Sequence, residues 1–392
     1  MSNSNKNFKE YKFGFCNSKK KTGFNLLRFF FIGVDIITGS EQRFFVEFEM
    51  LNPWVSPNEI QLGFKPRINV KEEDLQYALA GTQSAQSLNT ETIVVPSYCV
   101  LRVGKLGDGA KQMCSYVPVK EVKFEGNPFK ISIGNKCITE SKISGFLSIS
   151  PEEVSAHPEL LCDSGYATWD LTYEVRQSYS EGYTDNNMRW FPFGLKTIFS
   201  GKINFDGNDY LVDSRRCSGY IERYWGNEVP EPWFHISTTD LASVITGKTL
   251  MDSSFSIHGS FLDRVSFIGN FENTPIEFCA DAPKRQYSTI WDCIQMPETE
   301  KPEENLLHWS VSLTHKLWII DVDVYCKIKD LYDRSLELPQ GQRQVLNILE
   351  SATGTGEIKL YKKTGNTLEQ IEHAKLNKVV CEFGHTESSE NL

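Results

Sequence analysis

The sequence is built from short runs of aromatic and β-branched residues, each ended by Gly, Asn, Asp or Pro. These runs recur at roughly eight to twelve residues, a spacing typical of antiparallel sheets. The sequence lacks the alternation of strands with long helices that a parallel α/β fold requires. The pattern therefore predicts an all-β protein with two antiparallel β-barrels and a few short helices. Those helices are expected at residues 72–80, 150–161 and 330–336, the second beginning at an N-capping Ser150.

The length of 392 residues is sufficient for two domains, each with its own apolar core. Residues 227–232 contain Pro230 and Pro232, which cannot donate to a central β-ladder, so this segment reads as a connection. We expect an N-terminal barrel domain at residues 1–228 and a C-terminal barrel domain at residues 229–392. The second is expected to end in a polar tail after Phe383.

The charge and cysteine content exclude several classes of protein. A net charge of −10, with acidic and basic residues mixed along the chain, argues against nucleic acid as a partner. The first apolar block is interrupted by Arg28 and Asp35, so neither a signal peptide nor an integral membrane segment is expected, and the protein is predicted to be cytoplasmic. The ten cysteines show no metal-ligand spacing, and they are read as free thiols. No metal site is predicted, and the sequence leaves the oligomeric state open.

Strand alternation in residues 43–50 places Phe44, Val46, Phe48 and Met50 on one face. Glu47 and Glu49 fall on the other face, which in an antiparallel sheet is ordinarily solvated. We therefore expect both glutamates to be exposed, and the alternative is that one of them is a functional carboxylate.

Residues 218–236 are the strongest candidate for a functional site, because aromatic, acidic and basic side chains alternate there. On an extended strand, Tyr220, Glu222 and Tyr224 share one face. Ile221, Arg223 and Trp225 occupy the other, and Gly226 ends the strand. With 12% Phe, Trp and Tyr, the chain suggests an apolar cavity for an apolar small molecule.

Four segments carry a resemblance to a known family. They are GFNLLRFFFIGVDIITGSEQRFFVEFEMLNP, SGYATWDLTYE, MRWFPFGLKTIFSGKINFDGNDY and, above all, GYIERYWGNEVPEPWF. Together they resemble the bacterial tocopherol cyclase-like family, which is related to the carotenoid hydratase N-terminal group. In many relatives the three residues before Trp-Gly are Asp, then Lys or His, then Asn. Here Glu222 keeps the acid, Arg223 keeps the charge and Tyr224 departs.

The resemblance implies tandem lipocalin-like barrels and a cyclase of the isomerase type that needs no cofactor. Such a reaction begins when a carboxylic acid, kept protonated by burial beside aromatic rings, protonates an isoprenoid double bond. The faces of aromatic rings then stabilise the tertiary cation. The catalytic candidates are Glu222 as the acid, Tyr224 beside the cation, His235 as a relay and Asp252 as a reserve acid. The substrate-binding candidates are Tyr220, Arg223, Trp225, Trp233, Trp169 and Asp170.

Two other functions fit the same pattern. One is hydration of an isoprenoid double bond, and the other is non-catalytic transport of a hydrophobic ligand, since lipocalin-like barrels bind lipids without chemistry. Structural roles also remain open, because Trp225 and Trp233 could serve packing, and Glu222 and Arg223 could form ion pairs. His235 could be a hydrogen-bonded core residue.

Overall fold

The computed structural model describes most of the chain. The residues described are 22–63, 67–68, 76, 80–81, 91–92, 94–126, 128–185, 187–215, 217–260, 264–280, 287–342 and 344–388.

The first half of the described chain forms an antiparallel sheet and a separate two-stranded pair, β3 with β4. The strands are β1 (Phe24–Asp35), β2 (Glu41–Leu51), β3 (Arg67–Ile68), β4 (Glu91–Thr92), β5 (Tyr98–Leu106), β6 (Lys111–Val117), β7 (Lys123–Gly126), β8 (Phe129–Ile133), β9 (Lys136–Thr139), β10 (Lys142–Ile149), β11 (Gly165–Gln177), β12 (Tyr183–Thr184), β13 (Met188–Phe205), β14 (Asn208–Val212) and β15 (Ser218–Gly226).

The second half forms another antiparallel sheet. Its strands are β16 (Trp233–Thr238), β17 (Asp240–Ser243), β18 (Ser254–Ser260), β19 (Arg264–Phe271), β20 (Thr274–Phe278), β21 (Tyr287–Gln295), β22 (Leu306–His315), β23 (Trp318–Lys327), β24 (Tyr332–Glu337), β25 (Gln344–Thr364) and β26 (Thr367–Ser388).

The chain passes from one sheet to the other between β15 and β16, at residues 227–232. In the first sheet β15 pairs with both β1 and β13, so the strands curve into a barrel-like wall. In the second sheet β16 pairs with β18 on one side and β26 on the other. This architecture confirms the predicted class, all-β with two lipocalin-like antiparallel β-barrels in tandem and a few short helices. The domain limits at residues 228 and 229 stay a prediction.

Strand alternation accounts for the apolar cores. On β11, Ala167, Trp169, Leu171 and Tyr173 are buried while the residues between them are exposed. Separate apolar clusters fill the interiors of the two sheets. A third cluster lies between the sheets and is drawn from both, and it includes Phe30, Phe45, Trp190, Trp233 and Leu346. The outer face of one sheet is therefore covered by the other.

The helices agree only partly with the predictions. Ser150 caps helix α1 (Pro151–Ala156) by accepting a hydrogen bond from the Glu153 N–H, at 3.1 Å, as expected. Single 3-10 turns occur at Val119–Glu121, Pro158–Leu160, Pro302–Glu304 and Ile328–Asp330. The helix predicted at residues 330–336 is wrong, because that stretch continues from the last of these turns into β24. The helix predicted at residues 72–80 lies almost entirely outside the described residues.

Two further expectations are wrong. Glu47 and Glu49 are buried, with 0% and 3% of their surface exposed, because the second sheet covers this face of β2. The polar tail expected after Phe383 is instead the end of β26, which pairs with β25 as far as Ser388. In the described part of the chain, no helix is long and apolar enough to cross a membrane.

Candidate active site

Three neighbouring strands of the first sheet bring charged side chains together on the covered face. Arg28 on β1 is the register partner of Glu222 on β15 and of Glu47 on β2. All three side chains are at least 98% buried. They therefore lie side by side where the first sheet meets the second.

The second sheet adds its own charges to this place. Glu350 on β25 and Glu382 on β26 are register partners, and both are fully buried. Arg334 on β24 is 2% exposed. We call the whole group the buried charge cluster, and its members are Arg28, Arg102, Arg334, Glu47, Glu49, Glu222, Glu350 and Glu382.

Arg28 is the centre of the cluster and contacts four carboxylates. Its Nη1 donates to Glu382 Oε1 at 2.6 Å, and its Nη2 donates to Glu350 Oε1. Its Nε lies 3.2 Å from Glu47 Oε2, and Nη1 lies 3.8 Å from Glu222 Oε1. Burial alone would lower the pKa of Arg28, but the four glutamates raise it well above its usual value. Arg28 is therefore a permanent cation that joins the two sheets.

The other two arginines, Arg102 and Arg334, stabilise the ionised form of Glu47. Arg334 Nη2 donates to both Glu47 oxygens at 2.5 Å, and Arg102 Nη1 donates to Glu47 Oε1 at 2.6 Å. Burial raises the pKa of Glu47, but Arg334, Arg102 and Arg28 outweigh it and lower the pKa to about 2. Burial raises the pKa of Glu49, which accepts from Arg102 at 2.6 Å.

Glu222 has a different environment, in which one carboxylate oxygen accepts hydrogen bonds from neutral side chains. Glu222 Oε2 accepts from Tyr224 OH at 2.9 Å, Tyr220 OH at 3.0 Å and Trp190 Nε1 at 3.1 Å. Oε1 has no hydrogen-bond partner among the described residues. Burial raises the pKa of Glu222 to about 7, although Arg28 and the three donors lower it. A substantial fraction of this carboxyl group is therefore protonated at neutral pH.

Glu382 is the matching acid on the second sheet. Its Oε2 accepts from Trp233 Nε1 at 2.6 Å, while its Oε1 accepts from Arg28. Burial raises the pKa of Glu382 to about 8; Arg28 lowers it, and Glu350 and Glu222 raise it further. Two acids from different sheets thus share one guanidinium group, and each is bound by a tryptophan N–H.

The balance of charge explains why these two glutamates are the ones that hold protons. If every member of the cluster were ionised, three arginines and five glutamates would leave two negative charges in a medium that solvates them poorly. Protonation of Glu222 and Glu382 makes the cluster neutral. They are the members with the fewest contacts to arginine that also accept hydrogen bonds from neutral donors.

Aromatic rings and two histidines surround Glu222. The ring centroids of Trp190, Trp233 and Tyr224 lie 5.1, 5.2 and 5.3 Å from that of His258. Within the described part of the chain, neither ring nitrogen of His258 has a hydrogen-bond partner of good geometry. Burial lowers the pKa of His258 to about 3, against an opposing effect of the Phe234 backbone. The imidazole is therefore neutral, and its nitrogens lie among aromatic faces.

Five of the predicted site residues come together here: Tyr220, Glu222, Tyr224, Trp233 and His235. Alternation on β15 directs the first three to the same side, as expected. His235 Nδ1 lies 3.6 Å from Glu222 Oε2, and its Nε2 lies 3.1 Å from Ser237 Oγ. Burial, His258 and Arg28 lower the pKa of His235 well below its usual value. The histidine is therefore neutral. It can donate and accept hydrogen bonds, but it does not carry a positive charge.

The other five candidates lie elsewhere. Arg223 and Trp225 project from the opposite face of β15, where the guanidinium lies 4.8 Å from the indole centroid. Trp169 belongs to the interior of the first sheet. Asp170 is exposed and pairs with Lys142 at 2.8 Å, and Asp252 is exposed before β18. Neither aspartate has the buried, aromatic surroundings that a protonated acid requires.

Sequence reasoning missed several members of the site: Arg28, Glu47, Trp190, His258, Arg334, Glu350 and Glu382. A usable signal existed for Arg28, a lone cation inside the apolar run FNLLRFFFI, and for Trp190, which lies in a segment that carried the family resemblance. Glu350 and Glu382 contact Arg28 across 322 and 354 positions of sequence, separations that no local pattern reveals.

The raised pKa values of Glu222 and Glu382 predict how the free energy of unfolding depends on pH. Their folded pKa values of about 7 and 8 exceed the ordinary value of 4.5. Folding therefore binds protons, and the resulting stabilisation is complete below pH 4.5 and is lost as the pH rises through 7 and 8. Below about pH 6.5 the buried His235 and His258 act in the opposite direction, since their pKa values are lowered. We expect the free energy of unfolding to fall by roughly 2–3 kcal/mol between pH 6.5 and 8.

Urea denaturation across this range checks the prediction. The double variant Glu222→Gln/Glu382→Gln mimics the protonated state, so most of the slope should disappear. Glu174→Gln, at an exposed carboxylate, should keep the wild-type slope. An unchanged slope in the double variant would place the titrating groups elsewhere.

Clefts open on the described surface, and two of the best defined have no Glu222 in their walls. One, of about 590 Å³, lies between the sheets and is bordered by Arg43 and Lys378. The other, of about 520 Å³, lies on the first sheet beside Tyr116 and His157. Among the residues described, no group of three or more His, Cys, Asp or Glu is arranged to hold a metal ion.

Comparison with known proteins finds distant likenesses among solved structures. One is a protein designated AttH from Nitrosomonas europaea, with a TM-score of 0.40, 11% identity, and coverage of 93% of this chain and 94% of that chain. Another is kievitone hydratase from Nectria haematococca, with a TM-score of 0.41, 10% identity, and coverage of 93% and 90%. No family model and no curated protein matches the sequence. Both likenesses are too distant to transfer the chemistry of either protein to this chain.

Proposed function

We propose that the protein is a cofactor-free enzyme that protonates an isoprenoid double bond, with Glu222 as the acid and cyclisation of a prenylated substrate as the reaction. The observation that carries the proposal is the environment of Glu222. This carboxyl group is completely buried, has a pKa raised to about 7, and accepts three neutral hydrogen bonds on one oxygen. A group of that kind can release a proton at neutral pH.

The two oxygens of Glu222 have different roles in the proposed proton transfer. Three donors occupy Oε2, so the proton belongs on Oε1, which has no hydrogen-bond partner in the described residues. When Oε1 gives its proton to a carbon atom, negative charge develops on the carboxylate. The donors from Trp190, Tyr220 and Tyr224 are already in place to stabilise that charge.

The cation formed in the same step needs a low-polarity environment with electron-rich faces. Trp190, Tyr224 and Trp233 surround this region, and their rings can stabilise a carbocation by cation–π interaction, worth about 2 kcal/mol or more when water is excluded. The neutral His258 adds no positive charge. Neutral histidines thus add no charge to that of Arg28, whose Nη1 already lies 3.8 Å from Glu222 Oε1 and opposes the cation.

The atoms and electrons of the proposed reaction balance without any oxidant or reductant. The π electrons of the double bond form a new C–H bond with the Glu222 proton, leaving a tertiary cation and a carboxylate. The oxygen of an internal hydroxyl group then forms the C–O bond, and its proton returns to Glu222. The product is an isomer of the substrate. If water supplied the oxygen, the same steps would give hydration.

Isotopes test the proposal and separate these outcomes. Organic extraction of the purified protein and mass spectrometry should first identify any bound apolar molecule, which then joins a panel of prenyl-phenols and linear terpenoids. In D₂O, a proton-initiated enzyme adds one deuterium at the carbon that received the proton. Cyclisation brings no label from H₂¹⁸O, whereas hydration adds one ¹⁸O atom.

A non-catalytic carrier remains the second candidate, and the proximity of Arg28 to Glu222 favours it. A carboxylate 3.8 Å from a guanidinium group can serve as part of an inter-sheet ion network without any catalytic role. Recovery of the bound molecule unchanged and without deuterium would support the carrier and count against the enzyme.

A further inference from the structure

The cleft between the sheets has a wall from each of them. Ile32, Gln42 and Arg43 come from β1 and β2, while Thr355 and Lys378 come from β25 and β26. Its volume of about 590 Å³ falls in the range of small-molecule sites. It is distinct from the buried charge cluster, since it contains none of its members.

The charges of the cleft are nearly balanced before any ligand enters. Lys378 Nζ lies 2.5 Å from Glu41 Oε2 and 3.1 Å from Asp240 Oδ2. Arg43 supplies a second positive charge, and Asp108 at the rim a third negative one. The cleft thus carries one net negative charge. A ligand carboxylate would add a like charge, so a neutral polar group is favoured.

Arg43 is the donor that this neutral group would satisfy. Its side chain is 6% exposed, and its Nη2 donates to the carbonyl of Lys378 at 2.8 Å. Its Nε is buried and has no acceptor among the residues described. Leaving a buried charged donor unpaired is costly, so an oxygen acceptor that reached it would bind favourably. Ile32, Leu106 and Ala352 offer apolar surface beside it.

The cleft and the acids lie along the same strands. Arg43, Phe45 and Glu47 follow one another on a single face of β2, and Phe30 lies between Ile32 and Arg28 on β1. Four residues of a strand span about 13 Å. The Phe30 ring packs beside the Glu222 site, because its centroid lies 4.4 Å from Arg28 Cζ and 6.1 Å from the Tyr220 centroid. Phe30 and Phe45 therefore separate the cleft from Glu222.

We infer that this cleft binds the polar end of a neutral amphipathic molecule, a ketone or phenol oxygen on an isoprenoid skeleton, with Arg43 as the donor and the adjoining apolar carbons against Ile32, Leu106 and Ala352. The inference rests on the proposed function for the isoprenoid skeleton. Binding in the cleft does not depend on turnover, and the two can therefore be tested separately.

Equilibrium dialysis with three matched probes tests the binding site. The probes are farnesylacetone, farnesylacetic acid and the corresponding hydrocarbon. Wild-type protein should bind the ketone about tenfold or more tightly than either of the others. Arg43→Met keeps the apolar length of the side chain and removes its donors. It should lower ketone affinity about tenfold and leave hydrocarbon affinity unchanged. Arg176→Met, at an exposed arginine outside the cleft, is the control.

A second variant tests the same cleft independently, in case Arg43→Met does not fold. Thr355 is exposed in the cleft wall, so Thr355→Trp should fill the space and weaken binding of the ketone without disturbing the core. Equal ketone affinity in wild type, Arg43→Met and Thr355→Trp would overturn the assignment, as would tighter binding of the acid. Tight binding of the ketone by a wild type that converts no substrate would count against the proposed function alone.

Discussion

Replacing Glu222 with glutamine is expected to reduce turnover by about 10²- to 10⁴-fold, the contribution typical of a positioned general acid. The amide keeps the shape of the side chain, and its oxygen can still accept from Trp190, Tyr220 and Tyr224. It has no proton acidic enough to transfer to a carbon atom. Substrate affinity should stay within a few-fold, because apolar burial supplies most of the binding free energy. The measurement is kcat and KM for the substrate identified by extraction.

The control for this experiment is Glu174→Gln, an exposed acid on β11 that should leave kcat and KM unchanged. A second comparison is Tyr224→Phe, which removes one donor to Oε2 and should lower kcat more than it changes KM. Full activity in Glu222→Gln would show that the acid lies elsewhere, and Glu382 would then be the next residue to replace.

Replacing Arg28 with methionine is expected to cost about 3–5 kcal/mol of folding free energy, the loss typical when a buried charge is left without its partner. The substitution removes the cation that contacts Glu47, Glu222, Glu350 and Glu382. Folded domains are commonly stable by about 5–15 kcal/mol, so this single change should remove a large part of the total. Urea denaturation at pH 7 measures the difference.

Two companion variants make this result specific. Arg176→Met changes an exposed arginine and should alter stability by no more than about 0.5 kcal/mol. Arg28→Met/Glu350→Gln removes one unpaired charge together with the cation and should recover part of the loss. Should Arg28→Met unfold at the same urea concentration as wild type, the cluster would not be what joins the sheets.

Much of the fold could be read from local patterns. Alternation placed Tyr220, Glu222 and Tyr224 on one face because a strand has a period of two wherever it lies. Asp206 and Gly207 form a glycine-containing turn of the kind that closes antiparallel pairs, and the structure pairs Phe205 with Asn208 across it. The junction at Pro230 and Pro232 followed from the missing N–H groups of proline.

The errors at Glu47 and Glu49 and the missed partners of Arg28 have one physical cause, which is that the face of a sheet does not reveal in its own sequence what covers it. Glu47 and Glu49 alternate with apolar residues as solvated side chains do, yet the second sheet buries them. Arg28 contacts Glu382 across 354 positions of sequence, a separation at which no local pattern operates. Groups of site residues could therefore be predicted from the sequence only where they lie on the same strand or on strands adjacent in sequence.

The buried charge cluster has a consequence for how such a chain can change over generations. Arg28, encoded before the junction, neutralises Glu350 and Glu382 after it, while Arg334, encoded after the junction, neutralises Glu47 before it. Each half holds the counter-ions of the other. A recombination event at residues 227–232 that brought in an unrelated second half would remove two of the four carboxylates that Arg28 contacts and one of the three arginines around Glu47. Changes in either barrel are thus constrained by the charges of the other.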